Sequence, residues 1–201
     1  HVIYEGLKET RKNIKEEEEP CPILVYASSK VQNEKDIKKS DKNYVILRLG
    51  SVYGYSSTDT MRINIMPNLF SKISSQDGVI SLFAGGKQIK SVVPLIDVVR
   101  CMKFMEENEK IKKETFNLVK ETVTVKEVAE ICKKYNPKVK IKTTEDEIPN
   151  LGYTLSNKKL LSTDFKFLYS IDESISKMIE SWSYQKNEQD LEYKTRGKKE
   201  F

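Results

Sequence analysis

From residue 26 to residue 135 the chain alternates helical and extended apolar patterns. Val31, Glu34, Ile37 and Lys38 recur at helical spacing and predict a helix over 26–39, which Ser40-Asp41-Lys42-Asn43 ends. YVILRL, residues 44–49, predicts a strand apolar enough to be buried on both faces. A helix is expected over 62–74 with Pro67 as its kink or boundary, then a short strand over 79–83 that stops at Gly85-Gly86, then an extended piece over 91–95. Asp97 reads as the N-cap of a helix reaching about Asn108, with Val98, Cys101, Met102 and Met105 on one face. Residues 115–119 read as a strand. Thr124 with Glu127 forms a capping box for a helix over 125–135, and Ser170 with Glu173 forms a second one. Behind that box Ile171, Ile175, Met178, Ile179 and Trp182 line one helical face, Trp182 as core filling. Residues 5–20 read as a polar, acidic loop, and 185–201 as a polar tail or linker.

Strands that alternate with helices give a parallel sheet with crossover helices, hence an α/β fold. No GxGxxG or GxxGxxG occurs, so the glycine loop that holds a dinucleotide pyrophosphate is absent from these residues. The formal charge of +5 is mild and spread along the chain, and the cations are mainly Lys, which argues against a nucleic-acid surface. No apolar run approaches the roughly 20 residues that cross a bilayer, and HVIYEGLKET does not have the form of a signal peptide. Cys21, Cys101 and Cys132 are far apart and the only histidine is His1, so no metal site is expected. Free thiols suit a reducing, cytoplasmic setting, with Cys101 and Cys132 buried in helices.

Tyr26-Ala27-Ser28-Ser29-Lys30 places a phenol and an ammonium four residues apart, on one helical face. A nearby ammonium favours tyrosinate, and a phenol so tuned takes a proton from a hydroxyl while hydride leaves the same carbon. Alone the pair proves little: in so Tyr- and Lys-rich a chain about one or two such pairs arise by chance, and Tyr4 with Lys8 makes another. That second pair carries Gly6 inside it, which disfavours a helix.

The order of further motifs changes the weight of that pair. Val2-Ile3-Tyr4-Glu5-Gly6 is followed by the Glu- and Pro-rich stretch 16–22, then by YASSK, then by LRLGSVYG (47–54). Asn64-Ile65-Met66-Pro67, SLFAGGKQIK (81–90), IDVVRC with Asp97, FNLV (116–119), TVKEVAEI (124–131) and the segment 152–175 follow in turn. This order resembles the extended short-chain dehydrogenase/reductase family, the NAD-dependent nucleotide-sugar epimerases and dehydratases, over residues 2–182. The resemblance implies Tyr26 as general base and Lys30 as its partner on the nicotinamide ribose. It implies Leu49, Gly50 and Ser51 beside the nicotinamide of NAD (or NADP), with Ser51 where many members have Asn. It implies Asn64 on the substrate phosphates and Lys90 on the diphosphate, with Gln88 beside it. Lys90 stands where many members carry Arg, which keeps the charge and loses the bidentate fork. Each has a plainer reading: Asn64 as a polar helix position, Lys90 as a solvated charge, Ser51 as a loop cap.

The expected architecture is the C-terminal part of a Rossmann-like doubly wound parallel sheet (1–54 and 89–137) plus a smaller α/β substrate-binding lobe (55–88 and 138–184). The catalytic Ser or Thr and the cofactor loop of the family would lie upstream of His1, so the chain reads as a fragment, inactive alone, of an enzyme that oxidises a sugar ring hydroxyl. The expected partner is a nucleotide-diphosphate sugar, with no nucleic acid or membrane, in a homodimer built through helices including 26–39 when full length. Two alternatives remain open on the residues: an NAD(P)-dependent reductase of a non-sugar carbonyl, and a catalytically inactive sugar-nucleotide-binding or interaction module.

Overall fold

A computed structural model describes residues 2–56, 61–145, 147 and 150–196, with the backbone alone for 184–196. In chain order the elements are β1 (Arg11–Ile14), α1 (Val25–Lys39), β2 (Val45–Leu49), β3 (Ser51–Tyr53), α2 (Met66–Ser75), β4 (Val79–Leu82), β5 (Ile89–Pro94), α3 (Leu95–Glu107), β6 (Glu114–Leu118), β7 (Glu121–Thr124), α4 (Val125–Tyr135), β8 (Lys140–Thr143), β9 (Tyr153–Leu155), α5 (Lys158–Leu161) and α6 (Ile171–Arg196). The fold is α/β with parallel pairing, as the alternating pattern predicts. β2 pairs with β6, β3 with β5, β4 with β8 and β1 with β9, all parallel. β7 is the exception: it runs antiparallel to β5, with Ile89 opposite Thr124.

Gly50 joins β2 to β3 at a point where the backbones crowd. A Cβ there would meet the Ser91 carbonyl oxygen and the Val119 Cγ1, both at 2.8 Å, so no larger residue fits without displacement. The Gly50 N–H donates to the Leu118 carbonyl (3.0 Å), and the chain then leaves the β2–β6 pair for the β3–β5–β7 sheet.

Three apolar clusters form the interior. One lies under β2, β6 and α3 around Val98, Cys101, Phe116 and Leu118. The largest gathers α2, β4, α4 and α6 around Phe70, Ile80, Val128, Ile175 and Met178. The third is Ile3, Tyr4, Ile14, Val119 and Leu155. Both capping boxes form: Thr124 and Ser170 hydroxyls accept the Glu127 and Glu173 N–H groups, and each Glu reaches back to its cap's N–H. No helix among the described residues is long and apolar enough to cross a membrane.

Several expectations are corrected. Asp97 is not an N-cap. Helix α3 begins two residues earlier, after Pro94, and Asp97 lies fully buried inside its first turn. Its carboxylate accepts the Leu168 N–H (3.1 and 3.2 Å) and the Arg100 guanidinium (2.6 Å), so it ties α3 to the segment before α6. α2 starts at Met66 rather than 62, because Pro67 sits in its first turn, where its missing N–H costs nothing. Residues 11–14 are a strand rather than loop. The backbone after Trp182 stays helical to Arg196 instead of becoming a linker at 185, while 197–201 lie outside the described residues. α4 turns its buried face toward α2 and α6.

The thiols follow from this packing. Cys101 and Cys132 are fully buried, and burial pushes their thiols up to about 12 and about 11, because a thiolate is disfavoured away from water. Cys21 is exposed. A colorimetric thiol titration at pH 8 should therefore count one reactive cysteine in the folded chain and three in denaturant. Two or more in the folded chain would show that the α3 or α4 packing is not as described.

Candidate active site

Helix α1 carries the Tyr–Lys pair, yet few apolar contacts hold it. Ala27 is its only fully buried residue, Val31 adds partial burial, and Val25 and Tyr26 are 88% and 61% exposed. Its start has no capping side chain of its own, but the Glu5 carboxylate accepts the N–H groups of Ile23 (3.2 Å) and Leu24 (2.6 Å) just before the first turn. The main tether is Glu34, which shares a face with Ala27 and Val31. Its carboxylate takes a two-pronged contact from Arg48 of β2: Nε to Oε1 at 3.0 Å and Nη2 to Oε2 at 2.8 Å. Arg48 Nη1 donates further to Tyr4 Oη (2.8 Å) and to the Glu16 carbonyl (3.0 Å). Tyr4 Oη in turn donates to the Glu18 carbonyl at 3.2 Å. Burial pushes the Tyr4 phenol up, so it stays neutral and serves as both donor and acceptor. A buried guanidinium is tolerable only when its donors are matched in this way. One turn back from Glu34, the Lys30 ammonium lies 5.2 Å from the centroid of the Tyr26 ring.

Tyr26 faces a cleft of about 580 Å³. Leu49, Gly50 and Ser51 form its floor, where β2 passes into β3, at the carboxyl end of a parallel strand. Arg62, Ile65, Asn68 and Leu95 complete its walls. Among the described lining residues Arg62 is the one charged side chain. Asn68 is 4% exposed and braces two walls: its Oδ1 accepts the Gly54 N–H (2.9 Å) and its Nδ2 donates to the Arg62 carbonyl (3.1 Å).

Of the residues singled out in the sequence, Tyr26, Leu49, Gly50 and Ser51 come together in the cleft, and Lys30 reaches it through Tyr26. Asn64, Gln88 and Lys90 do not line it. Asn64 is exposed on the approach to α2. Gln88 Nε2 donates to the Phe83 carbonyl (3.2 Å), while its Oε1 is buried without a partner. Lys90 is exposed on β5 opposite Val123. Sequence reasoning missed Arg62 and Asn68. A signal existed for the second: an Asn on the same helical face as Phe70, Ser71 and Ser74 must find partners once that face is buried. No group of three metal-ligating side chains gathers among the described residues.

Residues 2–79 match the sequence family described as the RmlD substrate binding domain. The fold matches UDP-glucose 4-epimerase of Thermotoga maritima, solved with UDP-glucose, at a TM-score of 0.71 and 18% identity over 90% of this chain and 65% of that one. It also matches UDP-glucuronic acid 4-epimerase of Bacillus cereus, solved with UDP-glucuronic acid and NAD (TM-score 0.73, 19% identity, 91% and 59% covered). The family match covers residues 2–79, and the likeness to these solved structures is one of fold. The dTDP-glucose 4,6-dehydratase of Bacillus anthracis, solved with NAD, has the same fold (TM-score 0.67, 16% identity, 89% and 57% covered). The chain thus spans less than two thirds of the length of each of these three proteins. No curated protein matches the sequence.

The Glu34–Arg48 pair is what presents Tyr26 to the cleft. Glu34→Ala leaves the Arg48 guanidinium buried without its carboxylate, and should cost about 3 kcal/mol. Urea unfolding followed by circular dichroism measures it. A loss below about 0.5 kcal/mol, the size of an ordinary surface change, would mean that other contacts hold α1.

Proposed function

We propose that this chain is the substrate-side portion of an NAD-dependent nucleotide-sugar epimerase or dehydratase, with Tyr26 as its base. The observation that carries the reading is the meeting, in one cleft, of a Lys-stacked phenol, the Leu49-Gly50-Ser51 strand end and a single cation, Arg62. Tyr26 acts as the base toward a sugar ring hydroxyl, with the Lys30 ammonium 5.2 Å from the centroid of its ring. Ser51 offers a hydroxyl to the sugar or to the carboxamide of the nicotinamide. Arg62 meets the diphosphate with a guanidinium fork. When bound, NAD supplies the hydride acceptor. The residues present suit its nicotinamide end, where hydroxyls of Tyr26 and Ser51 stand beside the apolar Leu49 and Leu95. They offer no glycine loop for its pyrophosphate.

The relatives support the substrate class, since they were solved with UDP-glucose and with UDP-glucuronic acid. The same reading makes residues 1–54 and most of 89–120 the outer half of a dinucleotide-binding sheet. The lobe then gains β7 and α4 in addition to the expected 55–88 and 138–184. The open apolar positions of α1 (Val25 at 88% and Ile37 at 43% exposed) support a homodimer built through this helix.

In the enzyme that contains this chain, Tyr26→Phe should lower kcat by about a hundredfold or more, since the phenol is the base. Wild-type turnover in that variant would remove Tyr26 from the mechanism. Arg62→Ala should raise KM for the sugar nucleotide about tenfold, the worth of one charge-assisted contact, with Lys90→Ala unchanged. The reverse result, a KM effect at Lys90 and none at Arg62, would return the diphosphate to the position that the family order implies. No effect at either would favour the non-sugar carbonyl reductase.

A further inference from the structure

Tyr26 sits in the first turn of α1, and the first turn of a helix frays most readily because its N–H groups lack partners within the helix. Elsewhere in this fold that difficulty is met locally. In α4 and α6 a cap hydroxyl accepts the third N–H, and a Glu at that third position reaches back to the N–H of the cap. α1 has neither part, because Leu24 stands at its cap and Ala27 at its third position. Apolar packing does not replace them, since Ile23, Leu24 and Val25 are all more than half exposed.

Glu5 performs the missing task from 19 residues away. One oxygen of its carboxylate, Oε1, accepts the cap N–H of Leu24 (2.6 Å) and the N–H of Ile23 (3.2 Å). The side chain is partly buried, and the backbone on both sides of it is pinned. The Ile3 carbonyl accepts the Cys21 N–H and the Gly6 N–H donates to the Cys21 carbonyl, both at 2.8 Å. Gly6 has no room for a Cβ, which would lie 2.5 Å from that carbonyl oxygen and 2.7 Å from Cys21 Sγ. The two backbones can therefore approach closely enough for the Glu5 side chain to reach the start of the helix. The same stretch enters the cleft, where Val2 lines the wall together with Tyr26. It holds α1 at two points: at its start through Glu5, and at Glu34 through Tyr4 and Arg48.

We infer that Glu5 is a positioning residue for Tyr26. The inference rests on the reading of Tyr26 as the base and adds the group that places it. The Glu34 contact sets the roll of α1 on the sheet. The two bonds to Glu5 fix where its first turn begins, and so how far the phenol stands from the floor at Gly50 and Ser51. Glu5 itself touches no reacting atom. Its contribution is an acceptor oxygen held in one place, which a Gln side chain also provides.

The test compares Glu5→Ala with Glu5→Gln. The Ser28 N–H donates the first helical bond, to the Leu24 carbonyl at 2.9 Å, and reports whether the first turn is formed. In amide hydrogen exchange followed by NMR on this chain, Glu5→Ala should speed exchange at Ser28 about tenfold, while amides of β6 keep their protection. Glu5→Gln should stay within about threefold of the unaltered chain at Ser28. In the enzyme that contains this chain, Glu5→Ala should lower kcat about tenfold with little change in KM, and Glu5→Gln should restore most of the loss. Added to Tyr26→Phe, Glu5→Ala should lower kcat no further, because no base is left to place. Unchanged Ser28 exchange in Glu5→Ala, equal losses in the Ala and Gln variants, or a further loss in the double variant would each overturn the inference while leaving Tyr26 as the base. Wild-type turnover in Tyr26→Phe alone would overturn the reading of Tyr26, and this inference with it, even where the exchange rates behave as expected.

Discussion

The contact between Arg48 and Glu34 fixes the position of α1, and the cleft depends on that position. Helix α1 buries only Ala27 completely, so apolar packing alone leaves it free to slide or roll on the sheet. A charge pair in a dry setting is a weak source of net stability, because desolvation of both ions offsets most of their attraction. Its directional content is large, however. The guanidinium fork accepts the carboxylate in one plane. The remaining nitrogen is already committed to Tyr4 and Glu16, so Glu34 has one place to go. Tyr26 lies two turns before Glu34, and fixing one sets the azimuth of the other. The acidic stretch is therefore structural as well as polar. Glu16 lends its carbonyl to Arg48 and its carboxylate to the Asn117 N–H (2.8 Å), joining the stretch before α1 to β6.

The floor and far wall are set by different means. Gly50 lets β2 approach Ser91 of β5 and Val119 beyond β6 more closely than any side chain permits, and this crowding brings the strand end to the cleft. Asn68 then clamps the exit of β3 to the loop before α2. An ion pair, a missing Cβ and a buried amide thus converge on one volume. All three are short-range and directional, whereas the apolar clusters beneath them are not. This division suits a site at the carboxyl end of a parallel strand, where loops of different elements must be held in register.

The parts legible in the sequence are those whose physics is local. Each capping box lies within four residues, so Thr124–Glu127 and Ser170–Glu173 could be read directly, as could α1, β2 and the α/β class. β7 was missed because four residues after a turn carry no period of their own, and only the ladder to β5 defines them. Asp97 looked like a cap because an acid before an apolar run usually is one. Its burial depends on Leu168 and Arg100, the first of them far along the chain. Motif order named Tyr26 and Ser51, which line one cleft, and also Lys90, which does not, while Arg62, which it did not name, does. Lys90 sits within a strand, where each successive side chain changes face, and it points to solvent. Arg62 belongs to an irregular segment with no sequence period to read.

Eight of the fourteen exposed large apolar side chains among the described residues fall in two groups. Ile23, Leu24, Val25 and Tyr26 cluster before and at the start of α1, and Leu95, Ile96, Val99 and Met102 form a stripe on α3. Tyr26 and Leu95 both line the cleft. A cleft walled by two incompletely covered helices has geometry without enclosure. Its few polar groups act on a ligand through water until something closes over them, and in water a contact such as that of Arg62 is worth a fraction of its dry value. The chain covers 65% and 59% of two proteins that share this fold. On the proposed function, the chain's own residues set the direction of each group toward a substrate, and the strength of those contacts depends on how far α1 and α3 are covered.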